Sequence, residues 1–364
     1  MISIQKKHLG FLKVFRNWSQ LSKDLSDLKK DKVVITSDGN QVVFSLFHNR
    51  MGGIVKILDI VQPEFTAVIP IETLEGLLKT VGKETEVIFE AGRVKIGKGV
   101  FTYDTYKVQT ESIQKYLDTI KDAPQNEVVI ENPKVFQYVA SNAGERQYAS
   151  VGWFNDYIVA TDRVTKFGIA RVNPIEEPIS LDPDLCKFIA KEKRVTLALY
   201  KGEQTFWMFT LSDLDDEESP DIMVFCTSLP PEAVDLTRPE TKSLYDHRDH
   251  VVVSRQDMED VVSRMAVVAT RARGLYLVFG EHELRFEDRE HNKSSESLEY
   301  IRVSPGYREA GLEVWISTPQ LLHALAAVEG ETVVIPYSAS ADDMISLVLK
   351  TEDDSMLSGI VALM

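Results

Sequence analysis

Three stretches of the chain repeat apolar residues at helical spacing. In KKHLGFLKVFRNWSQL, Leu9, Leu12, Phe15 and Trp18 fall on one stripe, three residues apart. NPKVFQYVAS opens with Asn132 as a cap and Pro133 in the first helical position, and carries Val135, Phe136 and Val139. SRQDMEDVVSRMAVVA opens with Ser254 and Asp257 and repeats Met258, Val261, Val262 and Met265. The three begin near residues 6, 132 and 254, a period of about 120 residues, and so long a period is an architectural signal.

A second helix type recurs between them. IPIETLEGLLKTV, SLDPDLCKFIAKE and VWISTPQLLHALAAV share an apolar strand end, a cap region and a short leucine-bearing helix, starting near Ile71, Leu181 and Ile316. Each precedes a predicted strand pair. These are TEVIFEAGRVKIGKGVFTY, turning near Gly92; RVTLALYKGEQTFWMFTL, turning at Lys201-Gly202; and ETVVIPYSASADDMISLVLK, turning around Ser338 to Asp343. Alternation in EVIF, TLALY and ISLVL predicts strands with one face buried. The order helix, strands, helix, strands therefore occurs three times. The charged, proline-bearing segments 110–127 and 232–250 are the candidate linkers, which predicts domains over 1–122, 123–246 and 247–364.

Composition narrows the class. At 364 residues, two or three domains are expected. Apolar content of 44% and charged content of 27% are ordinary for a soluble globular chain. No apolar run reaches the ~18 residues of a membrane helix, and the N-terminus is not read as a signal peptide. Two cysteines, Cys186 and Cys226, are too few for a disulfide framework, so a reduced, cytoplasmic protein is predicted. The net charge of −15 taken alone argues against nucleic acid. Net charge does not say where charge sits, however.

Three such units in a chain of this length resemble the bacterial sliding clamp, the beta subunit of the replicative polymerase. YIVATDRVTKFGIARV resembles a second-domain segment of that family, and ARGLYLVFGEHELRF and VWISTPQLLHALAAVEGETVVIPY resemble third-domain segments. VIPIETLEGLLKTVGKETEVIFEAGRVKIGKGVFTY resembles the later half of the first domain. The ordered agreement covers nearly the whole chain. It implies an α+β fold of three clamp-type domains, with sheets outside and helices lining a ring of two subunits. It further implies double-stranded DNA threading the ring without sequence specificity, a replicative DNA polymerase and a clamp loader as partners, and no cofactor.

The resemblance assigns residues. Helices facing DNA should be locally basic, and Lys6, Lys7, Lys13, Arg16, Lys79, Lys187, Lys191, Arg264 and Arg271 fit that role or that of solvated helix faces. Arg146 and Tyr148 match a family loop that touches DNA, and equally fit an exposed turn. Phe101 and Tyr103 on one side, Val267 and Val268 on the other, match the subunit interface or an ordinary core. The partner-peptide pocket maps onto Thr161, Arg163, Val164, Thr165, Phe167, Pro230, Ser317, Gln320 and the tail Ile360, Val361, Ala362, Leu363 and Met364. Where the family turn reads Gly-His-Arg-Leu, this chain has Arg-Val-Thr-Lys-Phe, and its tail reads Ile-Val-Ala-Leu-Met. Partner preference is where the chain should depart from its relatives.

No catalytic constellation is predicted. DLDDEE lacks the glycine-spaced pattern of a cation loop and reads as a solvated loop. There is no HExxH, no cysteine pair at zinc spacing, and no GxGxxG, GxxxxGK[ST] or GxSxG. Cys186 falls on an amphipathic helix as core. A non-catalytic DNA-encircling scaffold is the expectation; a clamp-fold oligomer that no longer loads on DNA is the alternative.

Overall fold

The computed structural model describes residues 1–21, 32–48, 52–102, 117–120, 124–145, 148–201, 205–212, 221–226, 249–268, 274–280, 282–289, 297–303, 312–338 and 346–361. One succession of elements is laid down three times. The first repeat runs β1 (Ile2–Gln5), a 3-10 turn (Lys6–Leu9), α1 (Leu12–Ser19), β2 (Lys32–Ser37), β3 (Val42–His48), β4 (Gly52–Leu58), β5 (Phe65–Pro70), α2 (Ile71–Lys79), β6 (Glu86–Glu90), β7 (Arg93–Ile96) and β8 (Gly99–Thr102). The second runs β9 (Asn126–Ile130), α3 (Lys134–Ala140), β10 (Val151–Phe154), β11 (Tyr157–Thr161), β12 (Lys166–Arg171), β13 (Ile179–Leu181), α4 (Pro183–Ile189), β14 (Arg194–Lys201), β15 (Thr205–Ser212) and β16 (Ile222–Cys226). The third runs β17 (Asp249–Ser254), α5 (Arg255–Val268), β18 (Gly274–Phe279), β19 (Glu283–Asp288), β20 (Ser297–Arg302), β21 (Glu313–Ser317), α6 (Thr318–Ala327), β22 (Thr332–Tyr337), β23 (Ser346–Lys350) and β24 (Met356–Val361).

Each repeat folds its strands into two groups of four. The opening strand joins the last three, as in β1-β6-β7-β8, and the middle four form the other group, as in β20-β19-β18-β21. Two edges then fuse. β4 pairs antiparallel with β16, and β12 with β24, so that two eight-stranded sheets form, β5-β2-β3-β4-β16-β15-β14-β9 and β13-β10-β11-β12-β24-β23-β22-β17. These joints tie each half of the second repeat to a neighbouring repeat. The chain accordingly groups into two compact units, 1–134 with 184–228 and 135–183 with 229–364; the boundaries at 134 and 183 fall inside the second repeat and the one at 228 just after it.

The predicted helices form, with one difference. The first pattern splits: Lys6–Leu9 is a 3-10 turn and only Leu12–Ser19 is α-helical. Lys6 and Lys7 amides bond the carbonyls of Thr85 and Lys83 at 2.9 and 3.0 Å, which holds the turn to the loop before β6 and out of the α-helix. The opening strands β1, β9 and β17 were too short to stand out from the helix patterns that follow them. Leu12, Phe15 and Trp18 are buried as their spacing requires. Phe11 meets Phe15 and Phe44, and Phe44 meets Phe89, edge to face at 5.0–6.2 Å, which couples the helix to both strand groups of the first repeat.

In the third repeat α5 and α6 lie side by side. Met258, Val261, Val262, Met265, Leu321 and Leu325 pack with Leu277, Val333 and Leu347 from both groups of strands. Gly92 takes φ +72°, the left-handed geometry that the turn between β6 and β7 requires. Each fused sheet also carries a second apolar cluster over its joint. Val55, Met208 and Phe225 lie with partly buried Ile57 and Met223 at β4–β16, and Val159, Phe167, Ile169 and Val348 with Leu357 at β12–β24. Cys186 and Cys226 are buried free thiols. No helix among the described residues is long and apolar enough to cross a membrane.

Candidate functional site

The turn from β11 to β12 is built around one carboxylate. Asp162 Oδ1 accepts the backbone N–H groups of Val164, Thr165 and Lys166 at 2.9, 2.7 and 2.9 Å, and the Thr165 hydroxyl donates to Oδ2. The Thr161 hydroxyl accepts from the Arg163 amide at 2.8 Å and donates to the Lys166 carbonyl at 2.9 Å. Burial pushes the Asp162 carboxyl up, but the Thr165 hydroxyl and the three amides outweigh it and hold it below its ordinary value. This network holds Arg163 at φ +65°, which costs a non-glycine residue about 1 kcal/mol. The Arg163 guanidinium turns back to donate to the Tyr148 hydroxyl at 2.6 Å.

Beyond the turn lies a cavity of about 230 Å³, lined by Asn142, Thr165, Lys166, Pro319, Gln320, His323, Ala324, Ser358 and Gly359. Three elements meet there: the start of β12, the first two turns of α6, and β24. Pro319 and Gln320 lie one turn before His323 and Ala324, at steps of three to four residues, and so share one broad helical face. Pro319 is tolerated because the first turn of a helix has no partner for its amide. Asn142, fully buried, donates to the Tyr138 carbonyl at 3.0 Å. A Cβ on Gly168 would come within 2.5 Å of the Asn142 amide nitrogen, so glycine lets this segment close on the strand. Lys166 Nζ donates to the Ser141 carbonyl, and the Ser141 hydroxyl meets His323 Nε2 at 3.1 Å. Burial, and then the positive charge of Lys166, lower the His323 pKa.

The sequence reading places two of its residues, Thr165 and Gln320, on the cavity wall. Phe167 is a correction. Side chains alternate along β12, so Lys166 takes the cavity side and Phe167 the other, where it packs with Val159, Ile169 and Val348. Its ring lies over Gly359, which faces it across the β12–β24 pair. Thr161, Arg163 and Val164 build the turn without lining the cavity, Val164 standing exposed. Ser317 caps α6 by backbone position and also lies off the wall. Ile360 is described in its backbone, paired with Lys166, and Val361 likewise, paired with Ser346. Pro230, Ala362, Leu363 and Met364 lie outside the described residues. Lys166 and His323 went unread, although alternation from Phe167 and the i+3 step from Gln320 both point to them.

No family model matches the chain, and no curated protein sequence matches it. Solved structures do. The DNA polymerase sliding clamp from Pseudomonas aeruginosa superposes with a TM-score of 0.74 at 15% identity, covering 100% of this chain and 99% of that one. The sliding clamp from Bacillus subtilis gives 0.74 at 13% identity, covering 100% and 98%. The Helicobacter pylori beta clamp bound to DNA ligase peptide gives 0.71 at 11% identity, covering 100% and 99%.

The chain has the fold of a bacterial sliding clamp.

On this clamp fold the predicted basic residues occupy varied settings. Lys13 and Lys191 are exposed, and neither forms an ion pair among the described residues. Others are engaged. Arg16 and Lys79 both meet Glu75, at 2.7 and 3.2 Å; Lys187 meets Asp184 at 3.2 Å; Lys7 meets Glu84 at 3.5 Å. Lys6 donates to the Val81 carbonyl. Arg264 forms a two-pronged pair with Glu299 of β20, both contacts at 2.7 Å. Tyr148 bonds Arg163, while Arg146 and Arg271 lie outside the described residues.

Among the described residues, β8 is one outer strand of its four-stranded sheet, opposite β1, and β20 is one outer strand of the other, opposite β21. They expose apolar side chains: Val100 at 57% and Phe101 at 39% on β8, Leu298 at 56% and Tyr300 at 55% on β20. Val267, at 74%, stands on α5, which packs against β20. Tyr103 lies outside the described residues, and of Val268 only the backbone is described.

Proposed function

We propose that this chain is a DNA polymerase processivity factor. Two copies close into a ring of three domains each, over 1–122, 123–246 and 247–364. The ring encircles duplex DNA without sequence specificity and tethers a replicative polymerase and a clamp loader through linear motifs. The reading needs no catalytic residue: a topological link keeps the ring on DNA while each phosphate contact stays weak.

The observation that carries it is the repeated joint. β4 meets β16 and β12 meets β24 in the same antiparallel manner, each joint covered by an apolar cluster. The remaining members of those two strand series are β20 and β8, and each lies at an open sheet edge among the described residues. An open edge with exposed apolar side chains invites strand pairing. Pairing β20 of one copy with β8 of the next, head to tail, repeats the joint and closes after two copies if the rotation permits. Leu298, Tyr300 and Val100 would then fill the outer cluster. Phe101, which shares the face of buried Val94, would meet the side carrying Val267. Lys7, Lys13, Arg16, Lys79, Lys187 and Lys191 are the residues assigned to loose contact with phosphates, with Lys6, Tyr148, Arg146, Arg264 and Arg271 in supporting places.

The many acid partners of these bases favour a second reading, a ring-forming scaffold that does not load on DNA. One experiment separates the two. The labelled protein is loaded by a clamp loader on nicked circular DNA, and retention is followed before and after linearisation. A clamp stays on the circle and leaves the line. Equal release from both supports the scaffold, and sedimentation as monomer at micromolar concentration overturns the ring.

A further inference from the structure

The cavity beside α6 is small and charged. Its volume of about 230 Å³ lies below the ~300–1,000 Å³ of pockets that enclose a whole small ligand. It suits one or two side chains of an extended peptide. Its walls are mixed. Pro319, Ala324 and the backbone of Gly359 supply apolar surface, while Asn142, Gln320 and His323 supply hydrogen-bonding groups. Among the described residues of the wall, the one that carries a full charge at neutral pH is Lys166. Its ammonium has three donors, one of which goes to the Ser141 carbonyl. No carboxylate pairs with it among the described residues. Asp162, the nearest acid in sequence, is spent on the turn: its oxygens take three amides and a hydroxyl. A cation on this mixed wall, without a counter-charge among the described residues, is complementary to an anionic side chain.

The geometry points to an acidic side chain, Asp or Glu within a linear peptide, seated in this cavity with its carboxylate on Lys166 Nζ. Pro319 and Ala324 hold the methylene stem, and Gln320 and His323 border the carboxylate. This rests on the reading of the chain as a motif-binding clamp and adds which residue the motif must carry. It makes Lys166 a specificity residue: it selects among partners by charge where an apolar residue would select by shape alone. Asn142 and Gly168 act behind it, setting the depth of the wall.

The test uses the full-length protein and a set of acetylated, amidated nonapeptides labelled with fluorescein. Each carries a Leu-Ala-Leu-Phe anchor with Glu, or in a matched partner Gln, at one position inside or beside the anchor. Binding is read by fluorescence polarisation at neutral pH and 0.1 M salt. At one position Glu should bind about tenfold tighter than Gln, the worth of one charge-assisted hydrogen bond. Lys166→Met should abolish that preference, so that the Glu and Gln peptides bind alike. Lys166→Arg should keep it, and Lys98→Met, an exposed lysine in the turn between β7 and β8 that is not on the cavity wall, should not alter it. Thermal melting verifies that each variant is folded. Equal binding of Glu and Gln peptides at every position overturns the proposal but leaves motif docking standing, as does a preference that survives Lys166→Met. Failure of every peptide to bind overturns docking itself. A free C-terminal carboxylate that binds tighter than any internal Glu overturns the assignment to a side chain.

Discussion

Asp162→Ala is the substitution that most directly probes the candidate site. The carboxylate satisfies the amides of Val164, Thr165 and Lys166 at 2.7–2.9 Å and fixes Arg163 in a left-handed conformation. A hydrogen bond to a charged group is worth about 1.5–3 kcal/mol where solvent is excluded. This turn is partly exposed, so water replaces part of each lost bond and screens the charge. The expected net loss is therefore about 2 kcal/mol rather than the sum over three amides. In a unit of this size each kcal/mol moves the melting temperature by about 2–4 °C, giving a fall of about 4–8 °C by calorimetry. Asp162→Asn keeps an acceptor oxygen and should lose about half as much. The pH dependence gives an independent arm. The carboxyl is held below its ordinary value of 3.8 in the fold. Its contribution is then complete above pH 3.8 and disappears as pH falls through the lowered value. The gap between wild type and Asp162→Asn should be full at pH 7 and shrink in strong acid. A melting temperature for Asp162→Ala within about 1 °C of wild type refutes the argument, as does a gap between wild type and Asp162→Asn that is unchanged in strong acid. The same variant should weaken peptide binding in the cavity, because Thr165 and Lys166 leave their places on its wall.

Two further outcomes follow from the packing. Gly359→Ala places a Cβ 1.9 Å from the Phe167 ring, and the overpacking should cost about 1–3 kcal/mol in urea denaturation; Phe167→Leu in the same chain should recover most of it, and a neutral Gly359→Ala would show that the ring is not there. Burial pushes the Cys226 thiol up to about 12, so iodoacetamide at pH 8 should leave it unmodified in the native protein and alkylate it in urea, as mass spectrometry would reveal.

The local elements were legible because their signals are local. Stripes such as Leu12, Phe15 and Trp18, and alternation such as that in β6, are set by helical and strand periods that neighbouring residues impose on one another; β14 and β23, read from alternation as half-buried, instead bury both faces, because apolar side chains cover the outer side of the sheet too. The threefold period was legible for the same reason, and Cys186 read correctly as core from its place on a helix stripe. Resemblance pointed to the turn after Ala160-Thr161-Asp162 and to the start of α6, and Thr165 and Gln320 from those two segments lie on the cavity wall. It erred on Phe167 by following apolar character instead of alternation. What the sequence could not decide is which edges meet. The pairing of β4 with β16 and of β12 with β24 joins residues more than 160 positions apart, and no local pattern encodes a partner so remote. Charge behaved likewise. Arg16 read as a free basic face until tertiary contact brought Glu75 beside it, and Lys166 as a turn residue until folding placed it on a cavity wall with no acid paired to it among the described residues; the Lys79–Glu75 and Lys187–Asp184 pairs, four and three residues apart on one helix, are local. Composition and period determine the elements and their order; which side chains stay available for a partner is decided only when distant surfaces come into contact.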